Sequence, residues 1–290
     1  MADGGSPLLP RRRLRTELRK ARQASGLTQE HVAGEMQWSL SKIIRIEGAA
    51  TGISANDLKA LLRLYGVTDP EQVDLLLGLA QAARRRSSLS AYRDVAPSSL
   101  LQLIEYESIA TVISQFESMF IPGILQTEDY ARSVIQSYYG EKPGSDKLRA
   151  LVELRIQREE LFDSDNPPLF RFVLDEAVVR RAVGSASVMR HQLMQLLEIA
   201  DRPNVTLEVV PFSAGLQPGM KGPFKILQFA DPVDTDIVFM ENPSGDIISD
   251  DPEEARSYKE AFKRLEKASL GPRDSLTTIA KIADEILQPE

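Results

Sequence analysis

Residues 26–48, Gly26-Leu27-Thr28-Gln29-Glu30-His31-Val32-Ala33-Gly34-Glu35-Met36-Gln37-Trp38-Ser39-Leu40-Ser41-Lys42-Ile43-Ile44-Arg45-Ile46-Glu47-Gly48, constrain the fold more than any other stretch of the chain. They hold two short helical patterns with almost nothing between them. The first opens at Thr28, a hydroxyl N-cap, and carries Val32, Ala33 and Met36. The second opens at Ser39, another N-cap, and sets Ile43 and Ile46 on one face at i, i+3 spacing. Gly48 is placed to close it with a left-handed cap. Helices joined by so tight a turn must cross steeply, which is the geometry of a helix-turn-helix.

The second helix divides by face. Ile43 and Ile46 turn inward and leave Leu40, Ser41, Lys42 and Arg45 outside. That outer face is short, cationic and hydrogen-bonding, which suits the edges of bases in a major groove. One Lys and one Arg also suit the solvated surface of an ordinary helical bundle, so spacing alone leaves both readings open.

The run from Leu14 to Tyr65 resembles the helix-turn-helix of xenobiotic-response-element and phage Cro/C1-type repressors. Its phrases here are Leu-Arg-x-x-Arg-x-x-x-Gly-Leu-Thr-Gln-Glu and Trp-Ser-x-Ser-Lys-Ile-x-Arg-Ile-Glu. The resemblance implies a double-stranded DNA partner. It makes Thr28, Gln29 and Ser39 holders of helix ends or phosphates, and Lys42 a phosphate contact. Leu40, Ser41 and Arg45 would face base edges. Arg22 and Glu47 match positions that pair internally, hence scaffold. Two positions depart from the pattern: Ile44 stands where a small polar residue is usual, and Ala49-Ala50-Thr51 lacks the usual basic residues.

At 290 residues the chain can build two domains, each with its own core. Its net charge of −7 hides a polarity. Residues 1–93 hold 15 Lys+Arg against 9 Asp+Glu, and residues 94–290 hold 20 against 33. A basic head can approach phosphate while the acidic body is repelled from it, and the same acid also keeps a protein soluble. The chain has no cysteine, which removes disulfides and thiolate metal sites. The first ten residues have no apolar core, and no run approaches ~18 apolar residues. A cytoplasmic location with no membrane partner is expected.

Residues 1–10 are polar and rich in Gly and Pro, and are expected to be a disordered tail. Helices are expected over Arg11–Ser25, Ser54–Tyr65 and from Pro70 to about Ala83, giving a domain over 11–86. Ser54 caps its helix with Asp57 as capping-box partner, and Gly66 closes it. Arg11-Arg12-Arg13 would either touch phosphates or simply be solvated, and Arg84-Arg85-Arg86 suits a helix C-terminus. A linker is expected over 87–97.

The second domain, 98–290, reads as α+β. A helix is expected over Leu100–Glu117. Phe120, Ile121, Ile124 and Leu125 are too apolar for a free loop, and their burial in the domain core is favoured over a partner surface. Strands are expected at 169–174, 204–211, 224–229 and 236–241, with Ile247-Ile248 after a turn. Helices fall at 146–162, 176–182, 187–200, from about 250 to 269, and 274–287. The later strands read as antiparallel neighbours joined by loops. The expected fold is therefore an all-α, five-helix, lambda-repressor-like head followed by an α+β domain with a small, mainly antiparallel sheet.

Ile-Pro-Gly-Ile-Leu-Gln-Thr-Glu-Asp-Tyr-Ala-Arg, Leu-Asp-Glu-Ala, Arg-Pro-Asn-Val-Thr-Leu-x-Val-Val-Pro-Phe and Gly-Pro-Phe-x-Ile-Leu-x-Phe occur in this half. They resemble the C-terminal domain of antitoxin-like, WhiJ-like regulators of high-GC Gram-positive bacteria. That resemblance implies a small partner protein encoded nearby.

Catalytic constellations are missing from the sequence. His31 and His191 lie outside metal-ligand spacings, and neither is near a plausible nucleophilic serine in sequence. Gly215, Gly219 and Gly222 do not form a phosphate-cradling loop. Asp250, Asp251, Glu253 and Glu254 are sufficiently explained as a helix N-terminus. The expectation is a non-enzymatic regulator that needs no cofactor or metal and binds a pseudo-palindromic operator as a homodimer. The dimer would form through apolar surface in 100–125, and the same domain would hold a small partner protein or effector. The alternative is an antitoxin-like protein whose main role is holding that partner, with DNA binding as autoregulation.

Overall fold

The computed structural model describes residues 6–48, 52–84, 88–140, 142, 144–242 and 245–286. Expectations placed on residues 1–5, on Ala49-Ala50-Thr51, on Arg85 and Arg86, on Pro243-Ser244 and on Leu287 lie outside the described residues. The chain divides into two compact units, 1–90 and 91–290.

Among its described residues the first unit has five α-helices: α1 (Leu8–Ala24), α2 (Gln29–Glu35), α3 (Leu40–Glu47), α4 (Ala55–Leu64) and α5 (Pro70–Ala82). Leu18, Val32, Ile43, Ile46, Leu58, Leu61 and Leu76 meet in one core. Helix α1 begins earlier than its sequence pattern suggests, so Leu8–Pro10 belong to it and not to a tail. Proline is tolerated there because first-turn N–H groups have no intrahelical acceptor, and Leu8 is buried. Arg12 is also buried, and Arg11 Nε donates to the Ala83 carbonyl at 2.8 Å. Part of the arginine run is therefore built into the fold. Asp69 caps α5 by accepting from Gln72 N–H. A 3₁₀ turn, Ser88–Tyr92, occupies the stretch expected to be linker.

The second unit is built on a six-stranded mixed sheet. Its elements run α6 (Ser98–Glu107), β1 (Val112–Glu117), α7 (Glu128–Tyr139), α8 (Asp146–Gln157), β2 (Leu169–Asp175), α9 (Glu176–Arg180), α10 (Ala186–Ala200), β3 (Val205–Val210), β4 (Phe224–Gln228), β5 (Ile237–Met240), β6 (Ile247–Ser249), α11 (Pro252–Ala268) and α12 (Pro272–Glu285). Strand order is β3-β2-β1-β4-β5-β6. The pairs β3–β2 and β2–β1 are parallel, and the three pairs from β1 to β6 are antiparallel. Parallel neighbours need long crossovers, which the α7–α8 and α9–α10 segments supply. One face packs Phe116, Val173, Phe224 and Ile226 against Phe262 and Leu265 of α11.

The largest correction falls on Leu100–Glu117. Its helix stops at Glu107, and Val112–Glu117 is the strand joining the parallel half of the sheet to the antiparallel half. The β-branched run Thr111-Val112-Ile113 suits a strand. Burial on both faces, with Ser114, Gln115 and Glu117 inside, hides the two-residue alternation that would mark it.

Ile121, Ile124 and Leu125 are buried within this unit. The loop that carries them can be buried because side chains satisfy its backbone. Gln126 Nε2 donates to Ile121 O at 2.6 Å, and Ile121 N–H donates to Tyr130 Oη at 3.2 Å. Gln192 closes the far end, donating to Leu125 O at 2.7 Å and accepting from Thr127 N–H at 2.8 Å. Leu101, Leu103, Ile113 and Phe116 are buried as well. Most of the apolar supply expected to hold two copies together is thus taken up inside one, with Leu100, Ile104 and Phe120 partly buried.

At the end of α6, Glu107 is 1% exposed. Arg158 clasps it through Nε at 2.9 Å and Nη2 at 2.7 Å, and Lys225 of β4 donates to it as well. Burial alone would raise this carboxyl. The two cations outweigh burial and hold it at about 2. A carboxyl lowered in this way adds stability at neutral pH that is lost as pH falls below the ordinary carboxylate range. Glu107→Gln leaves two cations buried beside a neutral amide, which costs about 3–5 kcal/mol. Urea unfolding of the second unit should show that loss, and an unchanged midpoint would contradict it.

Candidate nucleic-acid interface

The turn between α2 and α3 is set by three residues. Met36 ends α2, Gln37 takes the left-handed conformation at φ 53°, and Trp38 N–H returns to Ala33 O at 2.9 Å. Gln37 N–H bonds Gly34 O at 3.1 Å, completing a Schellman closure. The chain can then enter α3 at once. Ser39 caps it, its hydroxyl accepting from Lys42 N–H at 3.2 Å, as Thr28 accepts from His31 N–H for α2.

Gly48 ends α3 differently from the sequence expectation, because its φ is −90° and the cap is right-handed. Glycine is needed there for closeness, since a Cβ would lie 2.9 Å from the Ile44 carbonyl oxygen.

Beneath α3 lies a buried carboxylate. Glu47 has no solvent exposure and accepts four hydrogen bonds. Arg22 Nε donates to both oxygens at 2.8 and 3.0 Å, Gln29 Nε2 at 2.8 Å and Tyr65 Oη at 2.8 Å. Arg22 Nη1 also donates to Leu27 O at 2.9 Å. Burial, then the bond to Glu47, pushes the Tyr65 hydroxyl above its ordinary value, so it remains a donor. The cluster joins α1, the loop before α2, α2, α3 and the end of α4. Arg22 and Glu47 do pair, and Gln29 and Tyr65 complete the set. Gln29, expected at a helix end or a phosphate, has its amide turned toward Glu47 instead.

Opposite that cluster the outer face is assembled from α3 alone. Ser41 and Arg45 are exposed, with Leu40 at 38% and Ile44 at 49%. At 100° per residue these four span one arc, with Leu40 and Arg45 at its ends and Ile44 and Ser41 between them. Lys42 sits at the edge. Its ammonium is 3.6 Å from the Trp38 ring centroid and 3.4 Å from Asp57 Oδ2. Asp57 therefore serves Lys42, while its own N–H donates to the Ser54 cap at 3.0 Å. The face offers a guanidinium, a hydroxyl and two aliphatic side chains, which match guanine, either base edge and a thymine methyl respectively.

A helix-turn-helix domain model matches residues 13–76, and a model described as a domain of unknown function, DUF5753, matches residues 100–281. The second match spans more than half of the chain. The chain belongs to the DUF5753 family. Its head is a helix-turn-helix domain of the kind found in DNA-binding regulators. No curated protein and no solved structure matches it. Among the described residues, no helix of this DUF5753 member is long and apolar enough to cross a membrane.

Glu47→Gln keeps the shape of the side chain and removes the charge that Arg22 faces. The first unit should lose about 3 kcal/mol or more, as a buried pair does when one partner is removed. Denaturant unfolding followed by Trp38 fluorescence, from the single tryptophan of the chain, reads this. A variant as stable as the parent would contradict the account of the cluster.

Proposed function

We propose that this protein is a sequence-specific transcriptional regulator of the xenobiotic-response-element type, without catalytic activity, that reads DNA with the outer face of α3. The observation that carries this reading is the division of α3: Ile43, Ile46 and Glu47 are buried, while Leu40, Ser41, Ile44 and Arg45 share the exposed arc. Arg45 makes the base contact, by bidentate donation to guanine. Ile44 and Leu40 provide apolar contact with thymine methyls. Lys42, lying over Trp38 and beside Asp57, works as a positioning charge toward phosphate. Thr28 and Ser39 fix the two helix starts, and Gln29 acts through Glu47.

The basic head supports this reading, with 15 Lys+Arg against 9 Asp+Glu in residues 1–93 of a chain of net −7. Phosphate neutralisation supplies affinity, and the arc supplies selectivity.

The distinguishing experiment compares two variants across a set of single-base operator changes. Arg45→Ala should abolish preference at one position, worth roughly 1–3 kcal/mol there. Lys42→Ala should weaken every sequence to a similar degree. Uniform loss in both variants would refute the division of roles.

A single recognition helix reads too few base pairs to compete with a genome, so such heads act in pairs about one helical turn apart. We take the working form to be a homodimer on a pseudo-palindromic site. Light scattering at micromolar concentration, with and without operator DNA, should show two chains per site. One chain on a site without symmetry would refute the pairing.

A further inference from the structure

The second unit contains a cleft that DNA reading does not use. It opens beside β1, β4 and β5 and is bordered by α6, the 121–126 loop and α8. Its floor is made of side chains from the sheet face opposite α11. Strand alternation sends Gln115 and Glu117 of β1 to that face, away from Phe116.

The cations that line the cleft already have anions or carbonyl oxygens. Arg158 and Lys225 are held by Glu107, and Arg155 Nη1 donates to Gln126 Oε1 at 2.9 Å. Acceptors are in surplus. Gln115 is 4% exposed, and its amide donates to Glu117 Oε1 at 2.7 Å. Its own carbonyl, Gln115 Oε1, is buried without a hydrogen-bond partner. An orphaned buried acceptor is destabilising, so one that persists beside a cleft calls for a donor. Glu117 is 8% exposed, and Glu241 stands at the same cleft. Burial first, and Glu241 second, push the Glu117 carboxyl up to about 8. Leu103, Ile121, Val134 and Phe239 give the cleft an apolar wall.

We propose that this cleft is a small-molecule site for a primary amine with an apolar body, the ammonium donating to Gln115 Oε1 and Glu117 and facing Glu241. An ammonium meets the unpartnered Gln115 Oε1 and Glu241, and its charge draws the raised Glu117 carboxyl into its ionised form, whereas a carboxylate would face Glu241 and leave the Gln115 acceptor unmet. A neutral alcohol supplies one donor, and an ammonium supplies three. The side chains come from β1 and the end of β5, so the site is fixed by the sheet.

Benzylamine is a direct probe, with benzyl alcohol and benzoate as neutral and anionic controls of the same shape. Calorimetric titration of the full chain should show saturable benzylamine binding and a weaker or absent response to both controls. Glu117→Gln should weaken benzylamine by about tenfold or more, as loss of a charged hydrogen-bond partner does. If that variant fails to fold, Glu241→Gln carries the test, because Glu241 is exposed and its replacement leaves the core intact. It should weaken benzylamine and leave benzyl alcohol unaffected. No binding at millimolar benzylamine, meaning that water alone serves Gln115, would overturn the proposal. So would equal binding of benzoate, or benzylamine binding that neither variant changes. None of these readouts involves DNA, so the amine site and the DNA reading stand or fall separately.

Discussion

Helix α3 stands where it does because of one buried carboxylate. Glu47 sits at the end of α3, shielded from water, and four hydrogen bonds from Arg22, Gln29 and Tyr65 converge on it. A buried charge with incomplete partners would destabilise the head by several kcal/mol, so every element that supplies a partner is held in register with α3. Since Arg22 is on α1, Gln29 on α2 and Tyr65 just after α4, the cluster ties most of the first unit to the helix that carries the exposed arc. Packing of Ile43 and Ile46 gives α3 its face. The charge cluster gives it a fixed position.

The second unit uses a related device with two cations where the first has one. One carboxylate, Glu107, is shared by Arg158 and Lys225, and this links α6, the segment after α8 and strand β4. Neighbouring Glu117 is treated differently. It receives a neutral amide in place of a cation, and its carboxyl is pushed up where that of Glu107 is pushed down. Two buried acids in one domain thus serve different ends. Glu107 is satisfied and structural, whereas Glu117 and Gln115 lie beside a cleft with acceptor capacity left over.

Much of the head is legible in the sequence because its signals are local. Hydroxyl caps at Thr28, Ser39 and Ser54, the spacing of Ile43 and Ile46, and the Pro70 helix start all act within one turn of chain. Residue pairs across the fold are less legible. The motif gives the Arg22–Glu47 pair, but Gln29 and Tyr65 join Glu47 from 18 residues away on either side. The second unit is harder for the same reason. Strand β1 is defined by neighbours 57 and 116 residues distant in the register Val112↔Leu169 and Val112↔Gln228, and its polar residues are buried, so no periodicity announces it. Strands β4 to β6, joined by short connections, are visible from sequence. The Gln115 acceptor is invisible there, because it exists only once the sheet has formed.

Sequence-specific reading by the α3 arc is the central claim, and selection of preferred sites from a random DNA pool by the full chain tests it most directly. The account predicts enrichment of a short motif with a fixed guanine, repeated with inverted symmetry at a spacing of about one helical turn. A pool that stays random after successive rounds, while the protein still binds DNA at low salt, would contradict it.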